Sequence, residues 1–207
     1  LIISTPEMSL NEIINCGVIY VYFSNCLIEN IDGASPDVVF NGNANNTFMG
    51  VSGISSVGDL NDDGKTDFFF GNYSNGHVIY GGEAGTSISS YNITGLESNS
   101  YPGRRSGTGD FNNDGIDDLI IGNQSEIRIY YGHTSGVSNS PSVIISDISP
   151  LNYSYPPAVS KFSMSITPEM NDINGDGTSD FITASNRGLL IYYSNGYNIS
   201  NMPAVFD

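Results

Sequence analysis

Tryptophan is absent from the 207-residue chain, cysteine occurs twice, and only 6 Lys and Arg residues stand against 22 Asp and Glu, which gives a formal net charge of −16. A chain with so few cations cannot replace the counterions around nucleic-acid phosphates, and this excludes a nucleic-acid-binding protein. Docking on an anionic membrane through a basic face is excluded for the same reason. No apolar run reaches the ~18 residues of a transmembrane helix, so we expect no membrane insertion of this segment.

The abundant residue types favour a folded chain with many turns. Hydrophobic residues make up 39% of the sequence and aromatic residues 11%, which is enough for a hydrophobic core. Glycine (24 residues), serine and asparagine are frequent, as in all-β proteins with tight turns. The sequence starts at Leu1, and we interpret it as a mature product or a fragment of a longer protein.

An internal repeat is the strongest signal in the sequence. Three segments of fifteen residues align without gaps: 58–72, 109–123 and 171–185. Each is followed by a second apolar run, at 77–80, 127–131 and 189–193. A partial fourth copy, which lacks the acidic part, covers residues 1–6 and 18–23. The repeat therefore has a period of 50 to 60 residues.

Each repeat predicts four short antiparallel strands, which is the composition of one β-propeller blade. The outer strands are predicted at 38–41, 88–93, 142–146 and 203–206. We expect an all-β fold with three full blades (48–100, 101–160 and 161–207) and a partial blade at 1–47. A β-sandwich would explain the strands but not the repeat. No window shows a helical apolar period, so helices should be nearly absent.

The acidic part of each full repeat has the form Asp-x-Asn-x-Asp-Gly-x-x-Asp, which we number as positions 1 to 9 of loop 1 (59–67), loop 2 (110–118) and loop 3 (172–180). Oxygen atoms at positions 1, 3, 5 and 9 converge when the chain curls tightly, and the glycine at position 6 permits the turn. The main-chain carbonyl of position 7 completes the predicted ligand set: Asp59, Asn61, Asp63, Lys65 and Asp67; Asp110, Asn112, Asp114, Ile116 and Asp118; Asp172, Asn174, Asp176, Thr178 and Asp180.

These loops predict three Ca²⁺ sites. Hard oxygen donors in a flexible loop suit Ca²⁺ better than Mg²⁺, and the lack of His and Cys in the loops makes zinc and copper poor candidates. Ordinary Asx turns are the alternative, but they would leave three carboxylates repelling one another. EF-hand and dockerin loops need a ligand at position 12 and a helix afterwards, whereas Phe70, Ile121 and Thr183 occupy position 12 in predicted strands.

The repeats resemble FG-GAP repeats, the blade motif of integrin α-subunit propellers and related extracellular proteins. The first element of that motif resembles Phe48-Met-Gly50, Tyr101-Pro-Gly103 and Phe162-Ser163. The second resembles Ser4-Thr-Pro6, Gly71-Asn-Tyr73, Gly122-Asn-Gln124 and Ala184-Ser-Asn186. The resemblance implies a seven-bladed propeller with calcium in the hairpin between the first and second strands of a blade.

Other residues carry weaker signals. Cys16 and Cys26 flank the apolar segment 18–23, and we expect either a disulfide between them or two free thiols. Six Asn-x-Ser/Thr sequons are present, which is close to the number expected by chance: Asn45, Asn72, Asn92, Asn123, Asn152 and Asn198.

The sequence favours a calcium-stabilised, secreted or cell-surface module for adhesion or for binding a protein or glycan ligand, because calcium is plentiful outside cells. We see no catalytic constellation and expect no enzyme activity. A polysaccharide lyase and a lectin are the alternatives; the first has few cations for an anionic substrate, and the second lacks tryptophan. Since seven blades need more strands than this chain supplies, we expect further blades from missing sequence or from another chain. A four-bladed ring closed by this chain alone is the rival arrangement.

Overall fold

The computed structural model describes residues 1–22, 35–73, 75–82, 90–94, 96, 106–122, 126–145, 171–185, 188–195 and 204–206. That part of the chain is all-β, with fourteen strands and no helix, so it contains no helix able to cross a membrane. The strands are β1 (Ile2–Thr5), β2 (Val18–Val21), β3 (Val38–Asn41), β4 (Ile54–Ser56), β5 (Phe68–Gly71), β6 (Gly76–Ile79), β7 (Ser90–Ile93), β8 (Ser106–Gly109), β9 (Asp118–Gly122), β10 (Ile127–Tyr130), β11 (Val143–Ile145), β12 (Phe181–Ser185), β13 (Gly188–Tyr192) and β14 (Ala204–Phe206).

The strands form four separate antiparallel sheets in which neighbours along the chain are neighbours in the sheet. Their orders are β1-β2-β3, β4-β5-β6-β7, β8-β9-β10-β11 and β12-β13-β14. The predicted outer strands coincide with β3, β7, β11 and β14 to within two residues. This up-and-down order confirms the blade topology that the repeat predicted.

The sheets pack face to face in chain order because successive side chains of a strand point to opposite faces. In β5, Phe69 packs toward the third sheet in a cluster with Leu119 and Tyr130, whereas its neighbour Phe70 packs toward the first sheet with Ile19. A third cluster lies between the third and fourth sheets. Each fully buried apolar side chain contributes about 1.5–3 kcal/mol, so these interfaces hold the blades together.

The inner strands are built from small residues. In β4 and β8, the side chains of Ser55 and Ser106 meet through an Oγ–Oγ hydrogen bond of 2.9 Å. The inner strand of the last blade was predicted before loop 3, in residues that lie outside the described ranges. Within the described ranges, the first and last sheets stay separate, and no sheet closes a ring.

The cysteine and sequon predictions are only partly covered by the structure. Cys16 is fully buried, and its thiol donates a 3.3 Å hydrogen bond to the carbonyl oxygen of Met8. Cys26 lies outside the described residues, so the disulfide stays a prediction. Among the sequons, Asn45 and Asn92 are exposed and Asn72 is buried. The other three lie outside the described residues: Asn123, Asn152 and Asn198.

Candidate metal centres

Loops 1 and 2 each connect the first and second strands of a blade, and loop 3 leads directly into β12. The bridge between Asn171 and Asp180 closes the base of loop 3. In all three repeats, position 12 lies in the strand that follows the loop: Phe70 in β5, Ile121 in β9 and Thr183 in β12. The strands that follow confirm that these are not EF-hand loops.

Two left-handed residues curl each loop. The predicted glycine at position 6 has φ of +80°, +87° and +92° in Gly64, Gly115 and Gly177. Position 4 is also left-handed, in Asp62, Asn113 and Gly175, with φ of 56°, 59° and 81°. Asn, Asp and Gly tolerate this conformation better than other residues do. The sequence analysis missed position 4, although the restriction to these three residue types was a visible signal.

The carboxylate at position 1 organises each loop by accepting main-chain N–H groups, two of which are common to all three loops; Asp172 also accepts the N–H of Gly175. Asp59 accepts from Asp63 at 3.0 Å and from Gly64 at 2.7 Å. Asp110 and Asp172 accept from the same two positions at 2.7 to 3.1 Å. The carboxylate at position 5 accepts the N–H of position 7 in all three loops. The three loops therefore share one hydrogen-bonded scaffold.

The carboxylate at position 9 is buried and braces the loop against the end of the third strand. Asp118 accepts the N–H of Phe111 through Oδ2 and the N–H of Gly132 through Oδ1, both at 2.8 Å. Asp67 and Asp180 make the same two kinds of bond, and the second partner always lies 14 residues further along the chain: Gly81, Gly132 and Ser194. The sequence analysis assigned position 9 only as a ligand and missed this bracing role.

Burial and negative neighbours raise the pKa of two of these aspartates. Removal from water raises the pKa of Asp67 to about 6 and that of Asp118 to about 7, although their main-chain N–H partners pull the pKa values down. The charges at positions 1 and 5 add to the increase in both loops. A cation at the loop would favour the ionised carboxylates.

The loops supply negative charge with little to balance it. In loop 1, Nζ of Lys65 lies 3.9 Å from Oδ2 of Asp63. Within the described ranges, no Lys or Arg pairs with the carboxylates of loops 2 and 3. Asx-turn hydrogen bonds satisfy the main chain but leave these charges uncompensated.

The donor set fits a hard cation such as Ca²⁺. Every predicted ligand is an oxygen atom, and Oδ1 of Asn61, at position 3 of loop 1, is buried without a hydrogen-bond partner. Among the described residues, no three His, Cys, Asp or Glu side chains lie close enough together to bind one metal ion. Calcium binding by the fifteen predicted ligands stays a prediction.

A comparison with known families finds a match within the third sheet. Residues 102–138 match the FG-GAP repeat family, and this segment contains β8, loop 2, β9 and β10. No curated protein matches the chain. The match supports the repeat family that the sequence motifs resemble.

Proposed function

We propose that the chain is a calcium-binding propeller module, in which one Ca²⁺ in each of the three loops stiffens the hairpin between the first and second strands of a blade. The observation that supports this proposal is the hydrogen-bonded scaffold shared by three acidic loops, whose carboxylates have little positive charge near them. Bound calcium supplies positive charge, and three ions would change the formal charge from −16 to −16 + 6 = −10. The chain's own residues orient the ligands and hold the loop in its left-handed turns.

We infer a binding role rather than an enzymatic one, and a groove at one end of the blades supports this inference. At the end opposite the acidic loops, an open groove of about 510 Å³ is lined mainly by apolar and aromatic side chains: Thr5, Pro6, Glu7, Met8, Phe48, Val51 and Tyr73. The rings of Phe48 and Tyr73 pack edge to face, with their centroids 5.4 Å apart. We infer that this face binds a protein or glycan ligand outside the cell, in the manner of the integrin α-subunit propellers that the repeats resemble.

A direct binding experiment tests the calcium proposal. Isothermal titration of the metal-free protein with Ca²⁺ should show three sites, and Asp63→Ala, Asp114→Ala and Asp176→Ala should each remove one. Asp62→Asn is the matched control, because Asp62 is an exposed non-ligand and Asn113 occupies the same position in loop 2. Three unchanged sites in all three alanine variants would contradict the assignment. Binding to glycan arrays and uronate polymers, with turnover monitored, separates adhesion from lectin and lyase activity.

We further propose that another blade covers the outer face of the first sheet. Ile3, Tyr20 and Val39 stand opposite one another on β1, β2 and β3, and Ile3 and Val39 are 36% and 43% exposed. In the two middle sheets, alternate apolar side chains are buried on both faces, whereas these apolar side chains of the first sheet are partly exposed. Strand β1 is also an edge of its sheet, and an exposed apolar face beside an edge strand favours packing against another sheet.

The isolated 207-residue chain should therefore associate in solution. Light scattering after size exclusion should show species larger than the monomer, and dye binding should report exposed apolar surface. Ile3→Asp and Val39→Asp should reduce both signals, whereas Asp62→Asn should not. A wild-type chain that stays monomeric and binds no dye would argue for the closed four-bladed ring instead.

A further inference from the structure

Asp117 lies at position 8 of loop 2, outside the predicted ligand set, yet its carboxylate reaches loop 1 in the preceding blade. Its Oδ2 accepts the main-chain N–H of Asp59 at 2.9 Å. Asp59 is the position-1 ligand of loop 1. We propose that Asp117 couples the two loops, so that a cation bound in one raises the affinity of the other; this inference rests on the proposed calcium binding.

Two further observations show that loop 1 packs tightly against the following blade. Gly58 precedes Asp59 with φ of +69°, and a Cβ atom there would clash with the carboxylate of Asp117. A second link to loop 1 comes from the same blade but from outside loop 2: the N–H of His133, after β10, donates to the carbonyl oxygen of Leu60 at 3.0 Å. Leu60 is position 2 of loop 1. Both links therefore end at the start of loop 1, one on the predicted ligand Asp59 and the other on the residue after it.

Coupling follows from where Asp117 sits in its own loop. It lies between Ile116, whose carbonyl is the predicted position-7 ligand, and Asp118, the position-9 ligand. A cation in loop 2 would fix both neighbours and thereby fix Asp117. An ordered Asp117 holds the N–H of Asp59, which reduces the conformational freedom that loop 1 loses when it binds a cation. The effect is reciprocal, because coupling between two binding sites is a single free energy.

Loop 3 offers a matched comparison at the same position. Ser179 contacts loop 2 through its main chain, whose N–H donates to the carbonyl oxygen of Asp110 at 2.9 Å. Ser179→Ala keeps this bond. The serine also shows that position 8 accepts a short side chain in this fold, which makes Asp117→Ser a conservative test variant.

Hydrogen exchange with mass spectrometry reads each loop separately. The full chain is titrated with Ca²⁺, and the midpoint of protection is measured for peptides covering loop 1 and loop 2. Disabling loop 2 with Asp114→Ala should raise the calcium midpoint of loop 1 by about fivefold or more, the lower end of ordinary coupling between sites. In the Asp117→Ser background, Asp114→Ala should change the loop 1 midpoint less than twofold. Asp117→Asn keeps an acceptor oxygen and should retain the coupling, and Ser179→Ala should behave like the wild type.

The outcomes separate this inference from the function on which it rests. If calcium protects the loops but Asp114→Ala leaves the loop 1 midpoint unchanged in the wild type, the loops are independent and the coupling is refuted while calcium binding stands. Full coupling in Asp117→Ser, or its loss in Asp117→Asn, would refute the role of the Asp117 hydrogen bond. If calcium protects no loop, both proposals fail together. A merely structural role of Asp117 would lower the stability of the metal-free protein without changing the response of loop 1 to Asp114→Ala.

Discussion

Excess calcium should raise the melting temperature of this protein far above its value in chelator. A ligand at about 100 times its Kd stabilises the folded state by about 2.7 kcal/mol per site, so three sites add about 8 kcal/mol. For a chain of this size, each kcal/mol shifts the melting temperature by about 2–4 °C, and the expected shift is about 15–30 °C. The measurement is a thermal melt followed by circular dichroism in calcium and in chelator.

The alanine variants should be compared with the wild type by the shift in melting temperature that calcium causes, rather than by the absolute melting temperature. Asp63→Ala also removes the acceptor for the N–H of Lys65 and can lower the melting temperature without any metal. Asp176→Ala should lose about a third of the calcium-induced shift, and Asp62→Asn should lose none of it. Asp63→Ala and Asp114→Ala should each lose more than a third, because the loss of one of the two coupled sites also weakens the other. Identical melting in calcium and in chelator would show that the sites are empty under these conditions.

The calcium effect should also depend on pH, because protons compete with the cation for Asp67 and Asp118. Both groups have a folded-state pKa above the ordinary value of 3.8, so the folded protein binds more protons than the unfolded chain between about pH 4 and pH 7. In chelator, their contribution to stability is present below that range and is lost as the pH rises through about 6 and 7. Calcium requires the ionised carboxylates, so the calcium-induced shift should be larger at pH 7.5 than at pH 5. A shift that is equal at both pH values would argue against position 9 as a ligand.

The repeat made the blades predictable, because each structural unit has a counterpart in the same sequence. The three aligned acidic loops located the start of the second strand in each full blade, and the apolar runs located the second and third strands. The strand ends shifted by one or two residues, as in β11, which runs over Val143–Ile145 rather than 142–146. Such shifts arise because the last pairing of a strand depends on the turn beside it.

Two features of the loops escaped prediction for a physical reason. The second partner of the position-9 aspartate is a main-chain N–H, which almost any residue can supply, so the residue type is not restricted: Gly81, Gly132 and Ser194. Only their constant spacing carried a signal. The Asp117 contact occurs once, between two blades, and an alignment of the repeats cannot show a contact that the repeats do not share.

The bracing role of position 9 leads to the second large effect. Asp118→Ala should destabilise the metal-free protein by about 2–4 kcal/mol, since it leaves the buried N–H groups of Phe111 and Gly132 without acceptors, at about 1–3 kcal/mol each. Removal of a buried charge, whose cost is visible in the raised pKa, offsets part of this loss. Urea denaturation in chelator measures the change.

Asp114→Ala is the matched control, because Asp114 belongs to the same loop but is exposed. Its carboxylate accepts two exposed hydrogen bonds, from the main-chain N–H of Ile116 and from Nδ2 of Asn112. The substitution should lower metal-free stability by only about 1 kcal/mol, because both bonds are exposed and water replaces the acceptor that they lose. Both variants should lose the calcium response of loop 2, because both remove a proposed ligand. If Asp118 acted only as a metal ligand, the two variants would have the same free energy of unfolding in chelator. If Asp118 also braces the loop without metal, Asp118→Ala should be the less stable of the two. Equal metal-free stabilities of Asp118→Ala and Asp114→Ala would therefore refute the brace, even if calcium binding were lost in both.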